Sequence, residues 1–339
     1  MNYIIYLNEN ALYYECGYSC DNAIFLKLGS EAFFITDGRY EIEAKEQVVG
    51  AKVVISRDLL KSAAKILRKN RIKKVIIDPN EWSIFALERL KDLAPLKFKF
   101  TPYFSHKKRI IKTNAEIELL QKAVKIGKKS FKKIAKAILD KKGSKEYELN
   151  FLAESIFRDY GKRDISFEPI LAINENAAKP HATPTKKKLK KNSLILLDGG
   201  VKYKRYCSDR TRTAFFDEDF NFKLQQKFKS KKMQKVYDLV LKAHDKAISK
   251  ARVGMRAKDI DKIAREVIEK GGYGKYFVHS TGHGVGLDIH EMPYISSKSD
   301  TIIKEGMVFT IEPGIYLPNE FGVRIEDMVV MQGKKAKVL

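Results

Sequence analysis

The chain has few cysteines and prolines and no long apolar run, and each shortage excludes a class of protein. Its three cysteines are odd in number and scattered, which argues against a disulfide framework and favours buried or half-buried thiols. No segment provides the roughly 18 consecutive apolar residues that a bilayer requires, and no basic region precedes the first apolar residues. Only 9 of 339 residues are proline, and 44% are hydrophobic, so we expect a globular, cytoplasmic protein with no membrane association.

Acidic residues are also scarce relative to basic ones. The 66 lysines and arginines against 42 aspartates and glutamates give a net charge of +24, which can attract nucleic acid. The lysines are spread over most predicted helices, as in Lys122–Lys136, rather than interleaved with aromatic residues on one patch. We therefore expect a solvated basic surface and no dedicated nucleic-acid site.

The length and the segment pattern predict two domains. Residues 1–108 alternate strand-like and helix-like segments, with a hairpin signal at Leu28-Gly29-Ser30-Glu31, and predict an α/β domain. The basic stretch Pro102–Lys112 resembles a linker, and Thr113 with Glu116 forms a capping-box signature that opens a second domain, residues 109–339.

The second domain contains a faint internal repeat. The helices predicted on either side of Gly143 match those on either side of Gly254, and each half ends in a strand hairpin, which predicts an α+β domain with pseudo-two-fold symmetry. In the first hairpin the midpoint between Asp198 and Asp209 falls at residues 203 and 204, so we expect these carboxylates to face each other across paired strands.

In the second hairpin the midpoint between Glu312 and Glu326 falls at Asn319. Asp198 and Glu312 each close an apolar strand, where an isolated ionised carboxylate is costly to bury. Four carboxylates with His283 form an oxygen-rich set that suits two divalent ions, with Mn²⁺, Co²⁺ or Zn²⁺ fitting and a thiolate zinc site excluded. Two such ions balance the four negative charges and leave a bound hydroxide as nucleophile.

Five strings carry a resemblance to a known family: Leu197-Asp-Gly-Gly200, Ser208-Asp-Arg-Thr-Arg212, Gly282–Glu291, Ile311-Glu-Pro-Gly314 and Val323-Arg-Ile-Glu-Asp327. They resemble the pita-bread metallopeptidases, a family containing aminopeptidase P, prolidase, methionine aminopeptidase and creatinase. Residues 1–108, including Thr36–Tyr40, are similar to the creatinase-type N-terminal domain, which is unusual in methionine aminopeptidase. Arg210 and Met292 depart slightly from the family pattern.

The resemblance implies roles for nine residues. Asp198 would bind one metal ion and His283 the other, Asp209 and Glu326 would bridge the pair, and Glu312 would bind beside His283 and act as the general acid/base. His181 and His290 would contact the scissile carbonyl and move a proton. His279 would line the substrate pocket, and Arg324 would orient Glu326 or meet a substrate carboxylate, whereas His106 and His244 match no family position.

The resemblance implies a homodimeric exopeptidase that cleaves the Xaa-Pro bond at the N-terminus of peptides, with Mn²⁺ as the first choice of metal. The alternative is an Xaa-Pro dipeptidase, and nothing in the ligand set separates the two. A more remote alternative is a non-catalytic pita-bread protein that binds RNA. Such relatives normally lose metal ligands, and none is lost here.

Overall fold

The computed structural model describes all 339 residues and separates into two compact units, Met1–Lys108 and Arg109–Leu339. The first unit is a six-stranded mixed sheet with helices. In chain order its elements are β1 Asn2–Tyr6, α1 Glu9–Cys16, β2 Ala23–Leu28, β3 Glu31–Thr36, α2 Glu41–Gln47, β4 Lys52–Ile55, α3 Leu59–Lys69, β5 Lys74–Ile77, α4 Ile84–Leu93, β6 Lys97–Phe100 and α5 Phe104–Arg109.

The strand order of this sheet is β4-β3-β2-β1-β5-β6. The predicted hairpin forms, because β2 and β3 are antiparallel and Leu28 pairs with Glu31 across the turn. Apolar side chains on both faces of the sheet are buried, which gives the unit two hydrophobic clusters. In the Thr36–Tyr40 string, Asp37 accepts a hydrogen bond from the backbone N–H of Arg39 at 2.8 Å and opens a single 3-10 turn.

The second unit contains four long helices and the remaining strands. The helices are α6 Asn114–Leu139, α7 Glu146–Phe157, α8 Lys231–Lys250 and α9 Ala257–Lys270. The strands are β7 Ile170–Ile173, β8 Leu194–Asp198, β9 Lys202–Tyr203, β10 Tyr206–Cys207, β11 Thr211–Phe215, β12 Gly282–Gly284, β13 Glu291–Ile295, β14 Val308–Ile311, β15 Gly314–Leu317, β16 Phe321–Arg324, β17 Asp327–Gln332 and β18 Lys335–Val338.

Each half of this unit has two helices followed by strands, as the internal repeat predicted. The first half carries a three-stranded sheet in the order β11-β8-β7, and the second a five-stranded sheet in the order β13-β12-β14-β17-β18. The predicted capping box opens α6: the hydroxyl of Thr113 accepts from the Glu116 N–H, and the Glu116 carboxylate accepts from the Thr113 N–H. These sheets carry the metal-ligand candidates.

The predicted linker Pro102–Lys112 is wrong in part, because it contains the six-residue helix α5. Arg109 is only 1% exposed and Lys112 only 4%. A solvated linker does not bury cations, and both of these have acidic partners about 180 residues further along the chain. The cysteines are free buried thiols, as expected. None of the helices combines the length and apolar character needed to cross a membrane.

Candidate metal centre

One cavity of about 360 Å³ in the second unit gathers every residue that the sequence analysis singled out for chemistry. Apolar residues such as Phe167 and Ile170 form part of its wall. The chemistry-bearing residues around it are Asp198, Asp209, His283, Glu312, Glu326, His290, His181, His279 and Arg324. The residues selected as a group from sequence therefore lie around a single space.

The first hairpin brings Asp198 and Asp209 to this space, but not as direct cross-strand partners. Asp198, at the end of fully buried β8, pairs with Thr211 at the start of β11, so the predicted register is wrong by two residues. Asp209 lies two residues before β11, where the backbone at Ser208 comes close to the backbone at Gly200. A Cβ on Gly200 would lie 1.7 Å from the carbonyl oxygen of Ser208, so only glycine fits there.

The second hairpin has the predicted register. Ile311 pairs with Asp327 and Gly314 pairs with Arg324, which places Glu312 and Glu326 opposite each other between the two paired segments. These two carboxylates are therefore held by strand pairing on both sides.

His283 comes from β12, which pairs with β14 in the same sheet. Its backbone N–H donates to the Thr310 hydroxyl at 3.1 Å, and its Nδ1 lies 3.1 Å from the carbonyl oxygen of Gly284. Because a carbonyl can only accept, Nδ1 carries the proton and Nε2 presents a lone pair. Nε2 lies 3.3 Å from Oε1 of Glu312 and 3.6 Å from Oδ2 of Asp209.

The carboxylates form an electrostatically unfavourable group when considered alone. Burial, followed by the neighbouring charges of Asp198 and Glu312, raises the pKa of Asp209 well above its ordinary value. Burial and the charge of Asp209 do the same to the pKa of Glu326, and burial also raises the pKa of Glu312. Burial lowers the pKa of His283 to about 4, so its ring is neutral and suited to a metal.

Two buried oxygens at this site have no hydrogen-bond partner, Oδ1 of Asp198 and Oδ1 of Asp209. Unsatisfied buried carboxylate oxygens are costly unless a cation compensates them. Ligand atoms of Asp209, His283 and Glu326 lie within 4.8 Å of one another. An oxygen-rich set with one imidazole fits divalent ions such as Mn²⁺, Co²⁺ or Zn²⁺, so the residues present suit a metal centre.

Arg324 braces this centre through a side chain that is only 4% exposed. Its guanidinium donates to Oδ2 of Asp198 at 2.7 Å, the Tyr316 hydroxyl at 2.7 Å and the Thr211 hydroxyl at 3.0 Å. Thr211 in turn donates to Glu326 at 2.7 Å. Arg324 thus contacts Asp198 directly and reaches Glu326 through Thr211, a path that its spacing in sequence did not reveal.

The remaining histidines occupy different positions around the cavity. His279 is partly buried, with Nδ1 2.7 Å from the Ser280 carbonyl and Nε2 2.8 Å from the Tyr316 hydroxyl. Both of its ring nitrogens are therefore engaged inside the protein, which suits a positioning role. His181 and His290 are exposed at the cavity rim, and the His290 ring lies 4.1 Å from that of His283.

Sequence reasoning missed a group of buried residues behind Glu326. Arg212 donates to both carboxylate oxygens of Asp327, at 2.8 and 2.7 Å, and Nε2 of His244 lies 3.4 Å from the same carboxylate. Asp327 directly follows Glu326, so these contacts fix the backbone that carries a ligand candidate. Arg212 and Asp327 both lie in the quoted strings, but nothing in the sequence pairs residues 115 positions apart.

A second missed group lies behind the segment that carries His290. Glu291 is fully buried and forms an ion pair with Lys112, while Arg109 binds Asp288 and lies 3.4 Å from Glu291. These contacts flank His290 on both sides in sequence. The basic stretch interpreted as a linker thus anchors a wall of the cavity.

Both units of this chain are similar in sequence to known protein families. Residues 118–333 match the model of metallopeptidase family M24, and residues 2–105 match the creatinase/prolidase N-terminal domain. The chain belongs to metallopeptidase family M24, with a creatinase-type first domain and a pita-bread second domain.

Among curated relatives, an Xaa-Pro dipeptidase of Pyrococcus furiosus is 41% identical over 231 residues, which cover 68% of this chain and 63% of that protein. The match thus spans less than two thirds of that relative's length. Among solved structures, an Xaa-Pro dipeptidase from Bacillus anthracis superposes with a TM-score of 0.90 at 31% identity, covering 99% of this chain and 92% of that one. An X-Pro aminopeptidase from Thermotoga maritima gives a TM-score of 0.87 at 30% identity, covering 99% and 94%.

Proposed function

We propose that this protein is a metal-dependent Xaa-Pro dipeptidase. The observation that carries the proposal is the convergence of four carboxylates and a neutral imidazole on one cavity, with two carboxylate oxygens left without partners. The similar proteins favour the dipeptidase, named above as the alternative, over the aminopeptidase that the sequence analysis preferred. The cavity of about 360 Å³ is at the small end of ligand sites, which suits a dipeptide.

In this proposal five residues hold two divalent ions. Asp198, Asp209, His283, Glu312 and Glu326 would hold these ions. Bound divalent ions lower the pKa of water toward neutrality and polarise a peptide carbonyl. Mn²⁺ is the first candidate, followed by Co²⁺ and Zn²⁺.

Glu312 serves as the general acid/base of the reaction. Its carboxylate accepts a proton from the attacking water and delivers it to the proline nitrogen as the peptide bond breaks. In the metal-free protein, burial raises the pKa of the Glu312 carboxyl. The imidazole Nε2 of His283 lies 3.3 Å from Oε1 of this carboxylate.

The rim histidines act on the substrate carbonyl. His181 and His290 are exposed, so they can donate hydrogen bonds to a peptide entering the cavity and stabilise negative charge on its carbonyl oxygen. The ring of His290 is partly desolvated by its neighbours, and this, with the neighbouring His283, lowers the pKa of His290, so His290 is mainly neutral at pH 7 and can both donate and accept a proton. Phe167 and Ile170 provide apolar surface for the proline ring.

We also propose that the protein works in the cytoplasm. Three unpaired, buried thiols suit a reducing compartment such as the cytoplasm. The family resemblance supports a homodimer, which light scattering would test. The partner is a proline-containing peptide, and the basic charge is assigned to the solvated surface rather than to nucleic acid.

Hydrolysis of matched peptides with added Mn²⁺ tests this function. We expect cleavage of an Xaa-Pro dipeptide and little cleavage of the Xaa-Pro-Yaa tripeptide or of an Xaa-Ala dipeptide. Preference for the tripeptide would select the aminopeptidase instead. Activity on none of them, together with salt-sensitive RNA binding, would overturn the enzymatic proposal in favour of the RNA-binding alternative.

A further inference from the structure

A second cavity in the same unit is lined by basic and aromatic residues that the proposed reaction does not use. Its volume is about 590 Å³, within the roughly 300–1,000 Å³ range of small-molecule sites. We call it the basic cavity. Its main lining residues are Lys128, Lys132, Lys136, Arg210, Phe131 and Phe222.

Helix α6 provides one wall of the basic cavity. Lys128, Lys132 and Lys136 recur every four residues, so their side chains lie along one face of the helix. They belong to the lysine-rich run that the sequence analysis assigned to a solvated surface. None of the residues lining the basic cavity is acidic, so nothing in its wall neutralises the row of ammonium groups.

Arg210 carries the strongest indication of a ligand. Its side chain is 18% exposed, and its buried Nε has no hydrogen-bond partner. The nearest carboxylate, Asp327, is 4.0 Å from Nη1, and both of its oxygens already accept from Arg212. The charge of this guanidinium is met by no carboxylate closer than 4.0 Å, so an anion inside the cavity that Arg210 lines would compensate it.

Lys128 supports the same conclusion. Its ammonium group donates to a main-chain oxygen of Leu339, and no aspartate or glutamate side chain forms an ion pair with it. Burial, followed by the positive charge of Arg210, lowers the pKa of Lys128. The basic cavity therefore has a positive potential that an anionic ligand would relieve.

The floor of the basic cavity is apolar. Phe131 and Phe222 are buried and meet edge to face with ring centroids 5.5 Å apart, and Phe220 lies 5.0 Å from Phe222. The Arg210 guanidinium lies 5.7 Å from the Phe131 ring centroid. A ligand that matches both features has an anionic group for the cations and an apolar or aromatic body for the floor.

We propose that the basic cavity binds a phosphate ester with an aromatic or apolar body, such as a nucleotide. Phosphate fits the combination of Arg210 with lysines because its several oxygens accept from more than one cation. Arg210 directly follows Asp209, which lines the catalytic cavity, so a ligand held by Arg210 lies one residue from the candidate metal centre. The proposal is independent of the peptidase assignment.

Fluorescence anisotropy of a labelled adenosine monophosphate, titrated with the metal-loaded full chain, tests the proposal. We expect saturable binding at one site per chain, displaced by unlabelled AMP. Adenosine and inorganic phosphate should each compete at least about tenfold more weakly, because each lacks half of the recognised chemistry. If adenosine competed as well as AMP, the cavity would not recognise the phosphate group, and the proposal would be wrong. If inorganic phosphate competed as well as AMP, the cavity would not recognise the aromatic body, and the proposal would again be wrong.

Two double variants of α6 remove the same charge from different faces. Lys132→Gln/Lys136→Gln should weaken AMP binding about tenfold or more, whereas Lys122→Gln/Lys133→Gln, which lies outside the basic cavity, should change it less than about twofold. All four lysines are exposed, so both proteins should fold normally. Equal weakening by the two pairs would show general attraction to the basic surface and overturn the site.

Discussion

Arg324 and Asp198 form a buried pair in which Nη2 donates to Oδ2 at 2.7 Å, while Oδ1 of the same carboxylate has no partner. One oxygen is thus fixed by a guanidinium, and the other is presented to the cavity. This division explains how a carboxylate at the end of a buried strand keeps one lone-pair direction available for a metal ion. In the proposed metal centre, Arg324 would therefore be a positioning residue.

Replacing Arg324 by lysine tests that positioning. An ammonium keeps the charge but cannot make the contacts to Asp198, Thr211 and Tyr316 together, so kcat/KM on an Xaa-Pro dipeptide should fall by at least about tenfold. The exposed Arg57→Lys is the control and should behave as wild type. A kcat/KM for Arg324→Lys within twofold of wild type would refute the positioning role.

Replacing Glu312 by glutamine tests the general acid/base role. The amide keeps the shape but cannot accept a proton, so kcat should fall by about 10²–10⁴-fold. Glu320→Gln, an exposed change in the same hairpin, should leave kcat unaltered. Metal content measured alongside separates lost proton transfer from lost metal, and near-normal kcat in fully metallated Glu312→Gln would exclude the role.

Replacing His283 by alanine tests the ligand assignment. We expect elemental analysis to show fewer bound ions per chain than in the wild type, because the imidazole is the only nitrogen ligand proposed. His181→Ala, at the rim of the same cavity, should keep the wild-type metal content while losing activity. Two ions bound to purified His283→Ala would contradict the assignment.

The raised pKa values of Asp209, Glu312 and Glu326 predict how metal binding depends on pH. Above about pH 4 the unfolded chain has lost these protons, whereas the metal-free folded chain retains some of them. The free energy of unfolding of the metal-free protein therefore falls as the pH rises from the pKa of these carboxyls in the unfolded chain to their raised pKa in the folded chain. A metal ion that binds in this pH range must displace the protons that the folded carboxyls retain. We expect the apparent Mn²⁺ affinity to increase with pH.

Calorimetric titration with Mn²⁺ in buffers of different ionisation enthalpy measures that proton release directly. His283, whose pKa is about 4, is neutral near pH 7 and releases no proton there. Release from the protein should therefore come from the carboxylates, and a metal-bound water adds to it as the pH approaches neutrality. Binding with no proton release, and with the same affinity at about pH 6 and about pH 8, would be incompatible with the raised pKa values.

The buried pair Lys112 and Glu291 predicts a coupled loss of stability. Lys112→Met leaves a fully buried carboxylate with Arg109 at 3.4 Å as its remaining cationic neighbour, and should cost about 3–5 kcal/mol of unfolding free energy. Adding Glu291→Met should recover much of that loss. Urea unfolding of the single and double variants measures the coupling, with exposed Lys122→Met as control. Strictly additive losses would show that the two residues do not act as a pair.

The pairing of Glu312 with Glu326 could be predicted because these residues are equally far in sequence from the turn between their strands. The midpoint at Asn319 gave the correct register for Glu312 and Glu326, since both ladders around it share that centre. The first hairpin failed because it turns through Lys204 and Arg205, both with positive φ, and pairs Tyr203 with Tyr206. Such turns usually carry asparagine or glycine, so no residue signalled this one.

The supporting contacts were beyond sequence reasoning for a different reason. Lys112, Arg212 and His244 become informative only when strands and helices bring them to Glu291 and Asp327. A lysine or arginine in a basic sequence is normally exposed, and its burial depends on an acid that is distant along the chain. Individual ligand candidates carry motif information, whereas their supports depend on tertiary pairing.

Two glycines next to the ligand candidates carry a consequence for mutational scanning. A Cβ on Gly200 would lie 1.7 Å from the Ser208 carbonyl oxygen, and one on Gly282, beside His283, would lie 1.9 Å from that of Thr310. In a deep mutational scan these glycines should tolerate substitution as poorly as Asp198 or His283. A map of intolerant positions would therefore enclose the metal centre within a shell of backbone-constrained residues, and metal occupancy in each purified variant would separate the ligands from that shell.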